Sequence, residues 1–588
     1  MEKTATEDLK HAIALHQAGQ LPEAERIYRQ ILKKFPDNAD ALHLLGVVAF
    51  QSGNLDDAED RIRAAITEDR SIALYHANLG RVLKAAGRAD ADVYREALKL
   101  EPDNPEVLSD LAGVLLERGQ VVEAIDCCRQ ALKRNPELKE AAFNLGLGLK
   151  AKGDSKGALD AFDTTLVLAD EYADAHFERG RLLQETGNLK AAIEAYSRAV
   201  TFDPAMVEAH CNLGNIHRQR LEPDKAIACY QAALKVDPES PEVRSNLGVA
   251  LQESGDRMAA IENYRAALAR NPGDAETHRN LAMALLQGGD FEEGWREFEW
   301  RWETAHFAHI RRAWSKPQWD GRALHGETVL VHHEQGYGDT IQFSRYLPMV
   351  ADRGGRVVVE CPDALTVLVE AIPGVAAVVR PEDQAVEYDF HIPMMSLPGA
   401  FSMTFDNLPD PVPYLRVPER ERERWSQRFG AGEEARIGVV WEGNTAHARN
   451  HWRSPGLEAF LPVFDTPGCA FVSLQKDEAA EGLNTYGLSD RIRDLSDDLT
   501  TFSDTAAVIA NLDLVIAPDT AVAHLAGALA KPVWLVLPHV PEWRWFEDRD
   551  DSPWYPSMKV FRQPRAGDWP AVFDLVARQL GAFALHDR

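Results

Sequence analysis

The sequence predicts an α-helical solenoid over roughly its first 300 residues, followed by two parallel α/β domains. Two observations predict this fold class. Small residues and glycines recur with a period of about 34 residues in the first half, and such a period indicates stacked helix pairs. From residue 327 onward, short apolar runs alternate with helical stretches, which is typical of parallel sheets whose strands are joined by helices.

The repeating unit is marked by a small residue that recurs with a spacing of about 34 residues, except for one shorter step of 32. Its positions are Ala12, Gly46, Gly80, Ala112, Gly146, Gly180, Gly214, Gly248 and Ala282. A glycine follows seven positions later, at Gly19, Gly53, Gly87, Gly119, Gly153, Gly187, Gly255 and Gly289, and Leu221 replaces it once. The small residue lets one helix approach the next, and the glycine permits the turn between them.

A large side chain in the second helix of each unit is expected to fill the space between neighbouring helix pairs. It is Tyr28, Ile62, Tyr94, Phe162, Tyr196, Tyr230, Tyr264 or Phe298 in the successive units, and the smaller Cys128 replaces it once. This pattern resembles the tetratricopeptide repeat, and the resemblance covers about residues 5–300 in nine units. The shorter unit lacks two residues near positions 89–92, so we expect its second helix to begin late.

Asparagines stand two positions before many of the small residues, at Asn78, Asn144, Asn212, Asn246 and Asn280. An amide both donates and accepts hydrogen bonds, so a row of amides suits a peptide backbone of any sequence. The row resembles the asparagine ladder of O-linked N-acetylglucosamine transferases, which holds acceptor polypeptides, and this resemblance predicts an acceptor protein as partner. The alternative is that the amides only satisfy the repeat consensus and cap local backbone groups. Asp110 and Glu178 interrupt the row.

Five tryptophans lie close together at the end of the repeats, at Trp295, Trp300, Trp302, Trp314 and Trp319. The open end of a solenoid needs to be covered. We therefore expect a buried junction with the next domain, and stacking on a sugar is the alternative.

The composition excludes several classes of function. The 588 residues include 64 Lys and Arg against 92 Asp and Glu, a formal charge of −28; nucleic acid is not an expected partner, because tracking phosphates needs clustered positive charge. The six cysteines contain no CxxC pair, so neither a zinc site nor a disulfide framework is predicted. No apolar run long enough to span a membrane lacks a charge, and no signal peptide is evident, which predicts a cytoplasmic protein without membrane insertion.

The predicted strands of the second half fall into two groups. The first comprises residues 328–332, 356–360, 376–379 and 388–392, and the second comprises 436–441, 470–474, 514–517, 532–537 and 558–561. Residues 409–424, with four prolines and a charge run, are predicted to be the hinge between them. Two Rossmann-like halves facing a cleft resemble the GT-B fold of glycosyltransferases. The predicted division is repeats (1–300), a tryptophan-rich junction (301–325), an acceptor-side half (326–415) and a donor-side half (416–588).

The turn after the first strand contains Gly336, Gly338 and Asp339 at the start of a helix. The glycines allow a tight turn close to a ligand, and Asp339 stands above the carboxyl edge of the sheet. The third glycine of a dinucleotide-binding fingerprint is replaced by Ile341, so this turn is weak evidence for a dinucleotide. For Asp339 the alternative is a helix cap.

Polar side chains that suit a diphosphate follow the strands of the second group. These are Asn444, Arg449, Arg453, Gln475 and Lys476, with His447 in the same loop as Arg449. Further on, Asp519, Thr520 and Ala521 join a strand to a helix that contains His524. The N–H groups and dipole at a helix N-terminus favour phosphate; a simple capping pair is the alternative for Asp519 and Thr520.

The segment from Asp519 through His524 to Lys531-Pro532 resembles the donor site of bacterial heptosyltransferase-like glycosyltransferases. The likeness extends over roughly residues 326–588, although the loop after position 441 departs from the heptosyltransferase form. It implies that Asp339 is the candidate base and that Arg449 or Arg453 contacts a phosphate. The tail from Trp543-Arg544-Trp545 to Trp554-Tyr555-Pro556 is similar to that of repeat-fused members, where it closes the donor half.

The fusion of repeats to such a domain resembles bacterial flagellin glycosyltransferases. This resemblance implies transfer of a nonulosonic acid, such as pseudaminic acid, from its nucleotide to Ser or Thr of flagellin held by the repeats. The mechanistic hypothesis is inverting and metal-independent, without a cofactor, and His447, His332 and His333 are rival bases. A metal-dependent enzyme would need an Asp-x-Asp after a strand; Asp548-Arg549-Asp550 has the spacing but follows the tryptophan-rich tail.

Two further functions stay open at this point. One is a protein O-glycosyltransferase that uses a UDP-hexosamine. The other is a non-catalytic repeat adaptor with a degenerate nucleotide-sugar domain. The repeats could also pair two copies of the chain in a homo-oligomer.

Overall fold

The computed structural model of the protein describes residues 2–380, 386–409, 412–445 and 450–586. Contacts within the chain define two compact units, Met1–Pro238 and Glu239–Arg588. Within these described ranges, no helix combines the length and the apolar character needed to cross a bilayer.

The first unit and the start of the second consist of helix pairs, of which the described residues contain nine. The first helices of the pairs are Glu2–Gln17, Ala39–Gln51, Ala73–Ala85, Pro105–Glu117, Lys139–Ala151, Ala173–Glu185, Val207–Gln219, Pro241–Ser254 and Ala275–Gln287. The second helices are Leu21–Lys34, Leu55–Glu68, Ala91–Leu100, Val121–Arg134, Ser155–Leu168, Leu189–Phe202, Pro223–Val236, Arg257–Arg270 and Phe291–Phe298. The period of the small residues therefore identified the repeats correctly.

Packing within a pair explains the small residue of the repeat. A Cβ atom at Gly80 would lie 2.5 Å from Cζ of Tyr94, so any larger residue would displace the ring. The same ring belongs to a buried cluster that includes Leu111 of the next pair, as the sequence predicted for the space between pairs. Gly87 has the positive φ of +70° that its turn requires, and Leu221 adopts φ +64° at the position where a unit lacks the glycine. The short unit has a second helix of only 10 residues, which begins after Asp90, as expected.

The last two helix pairs lie in the second unit, and the last of them shares its main hydrophobic core. Phe291, Trp295 and Phe298 are buried in the same cluster as Trp543 and Trp554. The indole rings of Trp295 and Trp543 are 5.3 Å apart. The last repeat and the α/β region are thus built around one core.

The tryptophans of the predicted junction differ in burial. Trp295 and Trp319 are 4% and 1% exposed, as expected for a buried junction. Trp300, Trp302 and Trp314 are half-buried.

Ten strands in the described residues form two sheets in which every neighbouring pair is parallel. The first sheet contains β1 (Thr328–His332), β2 (Arg356–Glu360), β3 (Val375–Val379) and β4 (Phe390–Pro393) in the order β3-β2-β1-β4. The second contains β5 (Ala435–Val439), β6 (Cys469–Ser473), β7 (Ile492–Asp494), β8 (Leu514–Ala517), β9 (Val533–Leu537) and β10 (Met558–Arg562) in the order β10-β9-β8-β5-β6-β7. Only β7 was not predicted.

Short helices connect the strands. From the junction to β4 they are Glu299–Glu303, Ala305–Ala308, Tyr337–Phe343, Ser344–Tyr346, Leu347–Asp352, Asp363–Leu365 and Thr366–Glu370. After β4 they are Met394–Ser396, Leu397–Ala400, Phe405–Asn407, Glu419–Phe429, Asn450–Arg453, Leu457–Phe464, Asp477–Glu481, Gly482–Thr485, Phe502–Ala510, Ala521–Ala528, Trp543–Trp545 and Trp569–His586. In the predicted hinge, the Tyr414 amide donates to Ala528 O at 3.2 Å and the Tyr414 hydroxyl to Ile341 O at 3.0 Å. This part of the linker therefore contacts both halves.

Candidate functional site

Two strand-to-helix turns, one from each sheet, meet in the second unit. The turn after β1 leads into helix Tyr337–Phe343, and the turn after β8 leads into helix Ala521–Ala528. A Cβ atom at Gly338 would lie 3.0 Å from Cδ2 of His524 and 3.6 Å from the Ala521 Cα. Gly338 is thus required for the close approach of the two helices.

Asp339 uses its two carboxylate oxygens differently. Oδ2 accepts a hydrogen bond from the Gly336 amide at 2.9 Å, which is the capping role that the sequence left open. Oδ1 accepts from the guanidinium of Arg544, which belongs to the other sheet's half of the fold. Asp339 is therefore both a helix cap and part of a contact between the halves.

Arg544 is the main site residue that sequence reasoning did not assign, although the tail that carries it was singled out. Its guanidinium also bonds to the Glu542 carboxylate and, through Nε, to Gln342 Oε1 at 2.6 Å. Burial alone would lower the pKa of Arg544, and the charges of Glu542 and Asp339 raise it instead. An arginine between two buried tryptophans was the available signal, because a buried cation needs partners.

Asp519 is held as a carboxylate beside this contact. Burial would raise its pKa, but the hydrogen bond from His524 and the charges of His524, Arg544 and Arg453 lower it well below the usual range. His524 Nε2 lies 3.5 Å from Asp519 Oδ1, and His524 Nδ1 lies 2.9 Å from the Tyr555 hydroxyl. The donor-site segment predicted from the sequence is thus adjacent to Asp339 through Arg544.

Two hydrogen-bond donors near Asp519 are buried without partners. Thr520 is the residue before helix Ala521–Ala528, yet its side chain makes no capping bond to the helix. Among the described residues, no atom is bonded to the Thr520 hydroxyl or to Nε of Arg453. Gly443 leaves space for that guanidinium, because a Cβ atom there would lie 2.7 Å from Arg453 Nη2. Buried polar groups normally have partners, so both groups suit a ligand.

The other predicted donor-site residues have different surroundings. Gln475 Oε1 accepts from the amides of Trp441 and Glu442 at 3.1 and 3.0 Å, so this side chain holds the loop after β5. The Lys476 amine donates to two backbone carbonyls, of Ser496 at 2.8 Å and of Leu499 at 2.6 Å. Asn444 is exposed. Arg449 and His447 lie outside the described residues.

The asparagines of the repeats are half-buried and several bond within the chain. Asn78 Nδ2 contacts His43 Nε2 at 2.8 Å, Asn144 donates to Ser109 O at 3.1 Å, and Asn212 donates to the Tyr196 hydroxyl at 3.3 Å. Asn280 Oδ1 accepts from Arg279 at 3.4 Å, and Asn246 is also half-buried. The bonds of Asn78 and Asn144 reach the preceding repeat, 35 positions earlier, and do not cap local backbone groups. Binding of an acceptor protein by the ladder stays a prediction.

A cavity of about 810 Å³ opens at the carboxyl edge of the first sheet. Its lining residues are Glu299, Trp302, Glu303, Ile310, Arg311, Arg312, Ala313, Trp314, Gln318, His332, His333, Glu334, Glu360, His391 and Pro393. Trp314 stacks on His332 and His391, with ring centroids 4.3 and 4.5 Å apart. The volume of the cavity is in the range of ligand-binding clefts.

The carboxylates around this cavity are paired with arginines. Glu360 accepts from Arg312 at 2.6 Å and Glu303 from Arg311 at 2.6 Å. Glu334 accepts from the fully buried Arg301 at 2.7 Å. The lining therefore offers hydrogen-bonding groups with little net charge.

The histidines of the cavity should make the stability of the second unit depend on pH. Burial and the charge of Arg312 lower the pKa of His391 to about 4 from 6.5. The unfolded chain therefore binds this proton more tightly, and the free energy of unfolding falls as the pH drops below 6.5. From His391 alone we expect a loss of about 2 kcal/mol between roughly pH 7.5 and pH 5. Urea unfolding at the two pH values measures it.

His391→Asn removes this titration and should reduce the loss measured for the natural chain. His332, 3.3 Å away and also of lowered pKa, leaves part of it in place. Identical pH dependence in the two proteins would contradict the expectation.

Over the described part of the chain, no group of three or more His, Cys, Asp or Glu side chains is arranged to hold a metal ion. In the Asp-x-Asp segment, Asp548 and Asp550 are exposed, and Arg549 bonds to Asp551.

Sequence profiles of known families match both halves of the chain. Tetratricopeptide-repeat profiles match residues 15–82, 83–145, 180–220, 207–240 and 246–295. The profile of glycosyltransferase family 9 (heptosyltransferase) matches residues 468–536, which include Asp519 and Thr520. The chain thus joins a tetratricopeptide array to a region of glycosyltransferase family 9 sequence.

Individual proteins are similar to parts of the chain. Protein FlbA of Caulobacter vibrioides is 25% identical over 317 residues, which cover 50% of this chain and 52% of FlbA. The chain therefore aligns with about half the length of this curated relative. Among solved structures, the MamA protein is 24% identical over 29% of this chain and 94% of its own, with a TM-score of 0.27. YrrB, a TPR protein with an unusual peptide-binding site, is 21% identical over 32% and 97%, with a TM-score of 0.29.

Proposed function

We propose that the protein is an O-glycosyltransferase that transfers a sugar from a nucleotide-sugar to Ser or Thr of a polypeptide bound by the repeats. The observation that carries this proposal is the meeting of Asp339 with the Asp519-Thr520 turn inside a region of glycosyltransferase family 9 sequence. One turn offers a carboxylate for an incoming hydroxyl, and the other offers donors for a departing phosphate.

The proposed chemistry is direct displacement with inversion. The acceptor oxygen attacks the anomeric carbon, the bond from that carbon to the phosphate oxygen breaks, and its electron pair leaves with the phosphate. Asp339 takes the hydroxyl proton as general base. The charge that develops on the phosphate would be stabilised by the Thr520 hydroxyl, by Arg453 and by the N-terminus of helix Ala521–Ala528. The two unpartnered donors described above support this role.

The cavity at the carboxyl edge of the first sheet supports an acceptor site on that side. Glu334 lines the cavity and stands two positions before Gly336 in the chain. The Gly336 amide in turn donates to Asp339. Because its carboxylates are already bonded to arginines, the lining suits an uncharged segment that carries a hydroxyl better than a charged one. We infer that the acceptor segment enters here, while the repeats hold the rest of the client.

For the sugar and the client we propose a nonulosonic acid such as pseudaminic acid and flagellin. These follow from the resemblance of the whole layout to flagellin glycosyltransferases. A UDP-hexosamine donor would lead to the same chemistry on another sugar.

The test is a thermal-shift screen of the purified chain against CMP, UDP, GDP and ADP, followed by mass spectrometry of flagellin incubated with protein and donor. A nucleotide at about 100 times its dissociation constant should stabilise the folded chain by roughly 2.7 kcal/mol. Thr520→Val, which keeps the shape of the side chain, should remove that shift. Thr505→Val is the matched control. The Thr505 hydroxyl lies in helix Phe502–Ala510 and already has a partner, because it donates to Thr501 O at 3.2 Å.

The outcomes separate the alternatives. A shift with CMP supports a nonulosonic acid, and a shift with UDP supports a hexosamine. No shift with any nucleotide, together with no added mass on flagellin, would favour a non-catalytic adaptor.

A further inference from the structure

Arg544 occupies the point where the acceptor and donor sides of the centre meet. Its side chain is 6% exposed. Nη2 donates to Asp339 and Nη1 to Glu542, while Nε donates to Gln342. Asp339 and Gln342 belong to the helix after β1, whereas Arg544 and Glu542 belong to the loop after β9. One guanidinium thus links the candidate base to the donor half.

The guanidinium of Arg544 is surrounded by carboxylates and is available to an incoming anion only if it exchanges a partner. Three carboxylates, of Asp339, Glu542 and Asp519, act on the same guanidinium. Arg453 is the second cation that acts on Asp519. A donor with a phosphate, or with a carboxylate on its sugar, would add a further negative charge. An anion of this kind needs a guanidinium that is free to form a bidentate contact.

Asp339 is in turn not free to act as a base in this arrangement. Both of its oxygens already accept hydrogen bonds, from Gly336 N and from Arg544. While Oδ1 faces the guanidinium of Arg544, this oxygen is not available to the hydroxyl of a substrate. An anionic group of the donor and the Asp339 carboxylate would therefore compete for the guanidinium of Arg544.

We propose that Arg544 is an oxyanion-binding residue: an anionic group of the donor replaces the Asp339 carboxylate on its guanidinium, and Asp339 Oδ1 is then free to accept the acceptor proton. The oxyanion is either the phosphate that leaves or a carboxylate on the transferred sugar, which present the same chemistry to a guanidinium. This proposal rests on the proposed function. It adds an order of events, in which the donor binds before Asp339 can act as the general base.

The test measures nucleotide affinity by calorimetry with CMP, UDP and CMP-N-acetylneuraminic acid as probes. Arg544→Ala should weaken binding by about tenfold or more. Added methylguanidinium should restore part of the lost affinity. The affinity of Arg544→Lys should lie between that of Arg544→Ala and that of the natural chain. Asp339→Asn should bind the same probe more tightly than the natural chain, by roughly threefold to tenfold, because the competing carboxylate is gone. A purely structural Arg544–Asp339 contact would weaken binding in both variants.

Arg345→Met is the matched control. Arg345 is also buried, but its guanidinium lies over the rings of Tyr414 and Tyr555, at 4.8 and 4.9 Å, and its side chain donates to the Tyr414 hydroxyl. Its removal should leave affinity within about twofold once thermal unfolding shows a folded protein.

The probes distinguish the two sources of the oxyanion. If Arg544→Ala loses affinity for the sugar-free nucleotides CMP or UDP, Arg544 is assigned to the phosphate. If the loss is confined to CMP-N-acetylneuraminic acid, Arg544 is assigned to the sugar carboxylate. Unchanged affinity for every probe in Arg544→Ala would overturn this proposal and leave the proposed function intact. If the natural chain binds nucleotide but adds no sugar to any protein, the proposed function fails instead. If it binds no probe, both fail.

Discussion

Asp339→Asn should lower the rate of sugar transfer to protein by roughly 10²–10⁴-fold while nucleotide stays bound. The amide retains the shape of the side chain and can still accept from the Gly336 amide, but it cannot take a proton from an attacking hydroxyl. The measurement is transfer of labelled sugar to the acceptor protein at saturating donor, with calorimetry of the nucleotide in parallel.

Asp504→Asn is the matched control for this change. Asp504 occupies the same position in its helix, where Oδ2 accepts from the Thr501 amide at 3.0 Å, and it also bonds to an arginine, Arg424, at 2.9 Å. It differs from Asp339 in that its hydrogen-bond partners Thr500, Thr501 and Arg424 all lie in the second half, whereas Asp339 bonds to Arg544 across the two halves. We expect its substitution to affect stability and not transfer.

Full turnover in Asp339→Asn would remove Asp339 from the mechanism. His332→Gln and His333→Gln would then test the rival bases that line the cavity. Burial lowers the pKa of both imidazoles, so each is neutral near pH 7 and able to accept a proton. His447 can be tested in the same way.

Local signals predicted most of the fold because they depend only on neighbouring residues. The glycine and alanine positions of the repeats report helix contacts that are made within one unit, such as Gly80 with Tyr94. The strand β8 has its predicted bounds because its four consecutive apolar residues stand between Asp513 and Pro518. β7 was not predicted because it has only three residues, of which only Ile492 is buried.

The candidate site was predictable only where it lies within one segment. Asp339 and Asp519 could be found because each follows a strand and begins a helix. Arg544 is about 200 positions away from its partners Asp339 and Gln342, so their contact arises from the docking of the two halves. Lys476 was predicted to bind a phosphate from its position after a strand, but its amine bonds to the backbone of Ser496 and Leu499. These partners lie in a loop that no motif marks, so the contact could not be predicted.

A chain that begins at residue 301 should fail to fold, whereas a chain that begins at residue 239 should fold and keep its nucleotide-dependent thermal shift. The reason is the core that the last repeat shares with the α/β region. Leu286, Phe291, Trp295 and Phe298 are buried in it. Each such side chain contributes about 1.5–3 kcal/mol, so their loss removes roughly 10 kcal/mol, which is comparable to the stability of a whole domain.

Point substitutions test the same argument without truncation. Trp295→Ala should lower the free energy of unfolding by about 3–5 kcal/mol, as large-to-small changes in a core do. Trp300→Ala is the control, because Trp300 is half-buried and stacks on His278 with ring centroids 4.0 Å apart; we expect it to cost less than about 2 kcal/mol. Urea unfolding measures both.

The last repeats also brace the loop that carries Arg544. Arg257 bonds to Glu547 at 3.2 Å, and Gln287 donates to Pro541 O at 3.3 Å, on either side of that residue. A chain starting at residue 301 would lose these contacts even if its sheets formed, and Arg544 would no longer be held against Asp339. Cooperative unfolding and undiminished nucleotide binding by that chain would show that the repeats are not part of the catalytic fold. Loss of both, with retention in the chain from residue 239, would make the last two repeats a structural element of the proposed active site.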